Sequence, residues 1–264
     1  MMDRRVVVAG NGPSIASLEP GCIQADDFII RINNFFFEPR FFLGQRVDLA
    51  FMAGDPRVAP FMFETLHQCR ADYDLRAWSS HNPRVVRAGQ RRFGALYQPM
   101  RYRDSEIEAE VKTLIARYNR SPTTGVYAVL MAHAIGAQEI IMAGLDLYST
   151  PQRYPYELGP HYRALMGQDL AARGIDSHLH HPQLDLDILK VLKTRDDVRL
   201  LRACDTPALK DLTDWAPVQG TPSLDQPRHS PPTDWAARSG FYSIELLKVL
   251  RRGSALLRQI RKES

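Results

Sequence analysis

The sequence predicts an α/β fold: a parallel sheet with helices on both faces, an inserted lid and a C-terminal amphipathic helix. Short β-branched runs alternate with helical patterns, as strands joined by crossover helices do. A glycine turn follows the first apolar run directly. Tyr148 to His181 keeps no clear period and is rich in Tyr, Pro, His and Arg, as an inserted lid would be.

Taken in order, Arg5 to Ala9 is a buried strand closed by Gly10-Asn11-Gly12-Pro13-Ser14, with a short helix next. Phe28 to Ile32 is a second strand and ends at Asn33-Asn34. Val47 to Met52 is a third strand, Phe61 to Cys69 a helix, and Leu75 to Trp78 a strand. Ser105 to Tyr118 is an amphipathic helix. Ser121-Pro122-Thr123-Thr124-Gly125 leads into an apolar helix over Val126 to Ile135, which Gly136 ends. Glu139 to Ala143 is a core strand, Leu186 to Lys193 a helix, and Val198 to Ala203 a last strand. This body, residues 1–216 with a lid at about 148–181, is followed by a Pro-rich linker at 217–234. Residues 235–264 form a basic amphipathic helix, with Leu246, Val249, Leu250, Leu256, Leu257 and Ile260 at helical spacing.

The chain has 264 residues, 44% of them hydrophobic and 24% charged, so a sizeable core is expected and disorder is not. Its three cysteines are widely spaced, which predicts neither a disulfide framework nor a zinc knuckle and suits a reducing cytoplasm. The N-terminal apolar run is too short for a signal peptide, and no apolar run reaches the roughly 18 residues of a spanning helix. Net charge is +4, and the stretch from Phe241 to Ser264 alone carries that excess. The basic balance therefore belongs to the tail, without the interleaved aromatics of a nucleic-acid surface.

Five motifs carry chemistry. The Gly10 to Ser14 turn can bring backbone close to a phosphate. A dinucleotide fingerprint would need a third glycine where Ile15 stands, and an acid where Asn33-Asn34 stands, so NAD is disfavoured. Asn33 and Asn34 end a strand where open α/β sheets bind ligands. Thr123, Thr124 and Gly125 open a helix, where hydroxyls cap or hold anions. Gly144-Leu145-Asp146-Leu147-Tyr148, then Tyr154, offer phenol donors to a departing phosphate. His178, His180 and His181 offer a general base. Asp185-Leu186-Asp187 matches the Asp-x-Asp pattern of metal-dependent glycosyltransferases, but capping of the following helix by Asp185 is favoured, and no metal site is expected.

As a set, these residues resemble a family. Val7-Val8-Ala9-Gly10-Asn11-Gly12-Pro13-Ser14, Arg31-Ile32-Asn33-Asn34-Phe35-Phe36-Phe37-Glu38 and Phe41-Phe42-Leu43-Gly44 are similar to the bacterial sialyltransferases of the Campylobacter lipooligosaccharide type, glycosyltransferase family 42. So are Thr124-Gly125-Val126-Tyr127 and Gly144-Leu145-Asp146-Leu147-Tyr148, and the resemblance covers roughly residues 5–215. It implies a Rossmann-like, GT-A-like domain and a metal-independent, inverting transfer of sialic acid from CMP-sialic acid to a terminal galactoside, with no cofactor. It also implies that Asn11, Asn33 and Thr124 bind the donor, that Gly10, Gly12 and Ser14 shape the turn, and that Asn34, Thr123, Gly125 and Asp146 belong to the donor site. Tyr148 and Tyr154 correspond to the pair that contacts the leaving phosphate, and His181 to the general base, with His180 as the fallback. Where relatives carry an arginine and an asparagine, this chain has Ser121, with Arg120 beside it, and Ala53 or Gly54. A Kdo-like donor or a non-catalytic nucleotide-binding role are the alternatives. The expected partners are a CMP-sugar, a lipid-linked glycan acceptor, the inner face of the cytoplasmic membrane through the C-terminal helix, and further copies of the chain in an oligomer such as a tetramer.

Overall fold

The computed structural model describes residues 4–149, 151–166, 180–220, 223–251 and 253. Seven strands form its sheet: β1 (Arg5–Ala9), β2 (Phe28–Ile32), β3 (Leu49–Phe51), β4 (Trp78–Ser79), β5 (Glu139–Ala143), β6 (Arg199–Arg202) and β7 (Asp214–Trp215). All pair in parallel, in the order β7-β6-β5-β1-β2-β3-β4. The chain builds outward from β1 to β4 and then crosses back to β5 on the other side of β1. The strand order thus reverses at β1, and parallel pairing puts the C-terminal ends of β1, β2 and β5 on one edge.

Both faces of the central strands are buried, which explains their apolar runs, and the one charge inside β2, Arg31, is buried and paired with Glu38 at 2.6 Å. Val6, Val8, Ile30 and Ile140 face α3 (Ser105–Tyr118), α4 (Thr124–Ala134) and α6 (Pro182–Lys193). Val7, Ala9, Ile29 and Ile141 pack on the opposite side against Ile15, Cys22, Ile23 and Leu43. Toward β3 the core is aromatic, with Phe35, Phe36 and Trp78 packed against α1 (Ala59–Gln68) and α2 (Pro83–Phe93). α4 has no polar stripe because every residue from Gly125 to His133 is buried. Asp104 starts α3 by accepting from the Ile107 N–H at 2.9 Å, and Asn119 ends it in the left-handed region at φ 48°.

Several boundaries differ from expectation for local reasons. The expected strand over Val47 to Met52 shortens to β3 because Asp48 is buried, accepting from the Ile29 N–H at 2.8 Å and pairing with Arg46 and Arg76. Leu75 to Trp78 splits: Asp74–Leu75 pairs with Arg46–Val47, while Trp78–Ser79 joins the sheet. α6 starts at Pro182, four residues before Leu186, and its cap is His181 rather than Asp185. The Pro-rich stretch is a strap across the body: Arg228 is buried, donates to the Phe36 and Glu38 carbonyls and pairs with Asp72. The tail is not helical from 235 either. Trp235 and Ala236 are buried, Arg238–Ser239 and Tyr242–Ser243 form a hairpin, and helix is described from residue 244 through 251. The rest of the expected helix, and residues 167–179 of the lid with His178, lie outside the described residues. No described helix is long and apolar enough to cross a membrane.

Candidate active site

A cleft with about 680 Å³ of open space lies over the C-terminal ends of β1, β2 and β5. This is the reversal point of the strand order, where open α/β sheets bind ligands. Its floor is the glycine turn after β1. The Gly10 N–H donates to the Ala143 carbonyl at 2.8 Å and the Gly12 N–H to the Gly144 carbonyl at 2.9 Å. Close approach requires both glycines: a Cβ would lie 2.2 Å from the Gly144 oxygen at Gly10, and 2.0 Å from Asp146 Oδ2 at Gly12. The Ser14 N–H donates to that same Asp146 Oδ2 at 3.1 Å. The turn is therefore not an open phosphate cradle, because a carboxylate of the chain already occupies it.

Asparagines tie the floor to the far wall. Asn11 Nδ2 donates to the Ile32 carbonyl at 2.8 Å. Asn33 takes the left-handed conformation at φ 45°, which asparagine tolerates. Its amide donates to Thr124 Oγ1 at 3.1 Å and accepts from the Ala53 N–H at 2.8 Å. Thr123 caps α4, and with Thr124 and Gly125 it presents the positive end of that buried helix to the cleft. Asn34 does not join them. Its side chain accepts from Trp235 Nε1 at 3.2 Å, outside the cleft lining. Gly10 and Ser14 lie behind the lining as well.

The lid supplies the roof. Leu147 and Tyr148 are consecutive non-glycine residues at φ 46° and 61°, a conformation costing about 1–3 kcal/mol each, found where a side chain must be aimed. Tyr148, Gln152, Arg153 and Tyr154 line the cleft. The Arg153 guanidinium stands 4.3 Å from the centre of the Tyr148 ring, a cation–π contact. The Tyr154 hydroxyl bonds the Tyr162 hydroxyl at 2.7 Å, and burial pushes the phenols of Tyr148 and Tyr154 above their ordinary values. Both remain neutral donors at neutral pH.

The two histidines before α6 separate. His181 is exposed; its Nδ1 accepts from the Gln183 N–H at 3.1 Å, and its ring lies against Tyr118. His180 turns inward, with its ring nearly parallel to Tyr148 at 6.1 Å between centroids. Its Nδ1 is 2.8 Å from the Ser121 carbonyl, which can only accept, so Nδ1 carries the proton and Nε2 keeps a lone pair. Burial, with Arg153 adding to it against the Ser121 hydrogen bond, holds the imidazole below its ordinary pKa and therefore neutral. His81, just past β4, is stacked on Tyr127 at 3.9 Å, and burial pushes it down to about 4, with His180 adding.

Asp185 and Asp187 do not act together. Asp187 accepts from Tyr118, Gln183 and Lys190 at the surface of α6. Asp185 is buried and accepts from the Thr123 N–H at 2.9 Å. Among the described residues no three His, Cys, Asp or Glu side chains are grouped to hold a metal. Burial pushes Asp185 up to about 7 against its hydrogen bonds to Thr123. The folded chain then holds this proton more tightly than the unfolded chain, whose Asp titrates near 3.9. Stability is full below about pH 4 and falls as pH rises through the window up to about 7, by on the order of 3–4 kcal/mol. Urea titrations of Asp185→Asn should lack this part of the pH slope between about pH 4 and 7. Parallel slopes in variant and wild type would show that Asp185 is not the group.

No family model matches the chain, and no curated protein sequence does. Solved structures do. The monofunctional α-2,3-sialyltransferase Cst-I of Campylobacter jejuni aligns with TM-score 0.78 at 20% identity, over 96% of this chain and 95% of its own. The C. jejuni sialyltransferase CstII in complex with the substrate analogue CMP-3FNeuAc aligns with TM-score 0.74 at 21% identity, over 89% of this chain and 95% of its own. CstII in complex with a trisaccharide acceptor and CMP aligns with TM-score 0.71 at 19% identity, over 89% and 96% of the two chains. A parallel seven-stranded sheet whose order reverses at β1 is thus the Rossmann-like fold that this chain shares with the Campylobacter jejuni sialyltransferases Cst-I and CstII.

Proposed function

We propose that the chain is a sialyltransferase that moves sialic acid from CMP-sialic acid to a sugar hydroxyl. The observation that carries the reading is one cleft, at the strand reversal, that gathers neutral phenols and a cation around a helix N-terminus, with the His180 ring stacked against the cleft-lining Tyr148. Asn11, Asn33 and Thr124 hold the nucleotide part of the donor, with Asp146, Thr123 and Gly125 beside them. His180, not His181, is the base. Its Nε2 takes the proton of the acceptor hydroxyl, whose oxygen forms a bond to the anomeric carbon as the bond to the phosphate oxygen breaks. Tyr148 and Tyr154 donate to the CMP phosphate as its charge grows, and Arg153 adds a fixed cation. A single displacement inverts the anomeric centre. The step needs no metal, since the chain's own donors meet the leaving group.

The acceptor is a terminal galactoside of a lipid-linked glycan. Membrane contact runs through the helix from residue 244, whose Leu246 and Val249 are exposed, as is Phe241 ahead of it. The work then takes place on the cytoplasmic side of the inner membrane. CMP release from CMP-sialic acid, with and without lactose and in EDTA, tests the reading. Release that rises with lactose supports it. No release from CMP-sialic acid, but release from CMP-Kdo, would replace the donor; none from either would leave a binding protein.

A further inference from the structure

The lid is held from behind by the tail. Helix α5 (Pro160–Met166) contains Tyr162, whose hydroxyl meets Tyr154 at 2.7 Å. At the start of α5, Asp234 accepts from the His161 N–H at 2.6 Å and the Tyr162 N–H at 3.0 Å. Residue 159 is a glycine, and a Cβ there would lie 2.2 Å from Asp234 Cγ. At the other end, Arg251 donates to the Leu165 carbonyl and pairs with Asp55. Between them Trp235 packs on the Tyr162 ring at 4.3 Å and donates to Asn34, beside the cleft-lining Asn33. Ala236 anchors this segment on α1 through Thr65 Oγ1 at 2.8 Å, and Ile244 and Leu247 bury against the same core as Leu165.

A phenol has one proton. Tyr154 can donate to a phosphate while bonded to Tyr162 only if Tyr162 donates to it. The position of Tyr162 therefore decides whether Tyr154 is available, and such chains of hydrogen bonds strengthen the terminal donor. We propose that Asp234 is a positioning residue for the transfer reaction: with Arg251 it clasps α5 at both ends and so sets Tyr162, which orients Tyr154 toward the leaving phosphate. This rests on the sialyltransferase reading above. Asp234 touches no reacting atom and acts only through the lid.

The test pairs Asp234→Ala with Tyr162→Phe in the full chain. Each variant lowers kcat by about tenfold to a hundredfold, while affinity for cytidine, which lacks the phosphate that Tyr154 meets, stays near wild type by calorimetry. The double variant is no slower than the slower single one, because both act through Tyr154. Backbone amide exchange at His161 and Tyr162 rises by roughly tenfold or more in Asp234→Ala. Unchanged kcat in Asp234→Ala, or multiplying effects in the double variant, would overturn the proposal. Where the wild-type chain transfers no sugar the function reading fails by itself. Exchange at His161 and Tyr162 then still decides on the clasp, and no change there removes it.

Discussion

Replacing His180 with alanine lowers turnover by about 10²–10⁴-fold, the range a positioned general base supplies. Replacing its neighbour His181 leaves turnover near wild type and costs about 1 kcal/mol of stability, the value of a helix cap. The contrast rests on geometry. His181 spends Nδ1 on the Gln183 N–H at the exposed start of α6, whereas His180 donates Nδ1–H to the Ser121 carbonyl and keeps a lone pair on Nε2, its ring against the cleft-lining Tyr148. The pH profile separates them further. Burial, with Arg153 adding to it, lowers the His180 pKa, so the acid limb of kcat/KM should fall below the ordinary value near 6.5. A collapse of turnover in His181→Ala, with His180→Ala unharmed, would return the base to residue 181.

Replacing Tyr148 with phenylalanine lowers kcat by about 10²–10³-fold, the usual loss when one preorganised donor is removed from developing charge. Stability should hardly move. The aromatic ring, its contact with the Arg153 guanidinium and its stacking against His180 all survive the change. The backbone holds Leu147 and Tyr148 at positive φ with either ring in place. Donor affinity should fall far less than kcat, because the hydroxyl matters most as the phosphate leaves. Wild-type turnover in this variant would remove Tyr148 from the mechanism.

Elements with a strong local pattern were readable from the sequence. Arg5 to Ala9, Phe28 to Ile32 and Glu139 to Ala143 announce buried strands by short β-branched apolar runs, and Ser105 to Tyr118 announces a helix by its capped helical period. α2 escaped because Arg84, Arg87, Arg91 and Arg92 dilute a stripe only one residue wide, Val85, Gly89 and Phe93. β7 has two exposed residues and no pattern to detect. In the cleft, Asn11, Asn33, Thr124, Tyr148 and Tyr154 were singled out in advance, and all five line it. Arg153, which also lines it, was not, since it lies in an aperiodic stretch; nor was His81, which is stacked on Tyr127 just past a two-residue strand. The different settings of His180 and His181 trace to one local signal. Proline favours the first helical position, so Pro182 makes His181 the cap and turns the preceding residue the other way.

The clasp on α5 also sets an order in time. Synthesis runs from the N-terminus at about 5–20 residues per second, so Arg251 emerges roughly 4–17 s after the lid helix it secures. During that interval the nascent chain already contains every cleft-lining residue, and until Asp234 emerges α5 is held by neither end of its clasp. Competence therefore arrives with the tail and not with the site. A protease that trims residues 234–251 would silence the finished protein without touching the cleft.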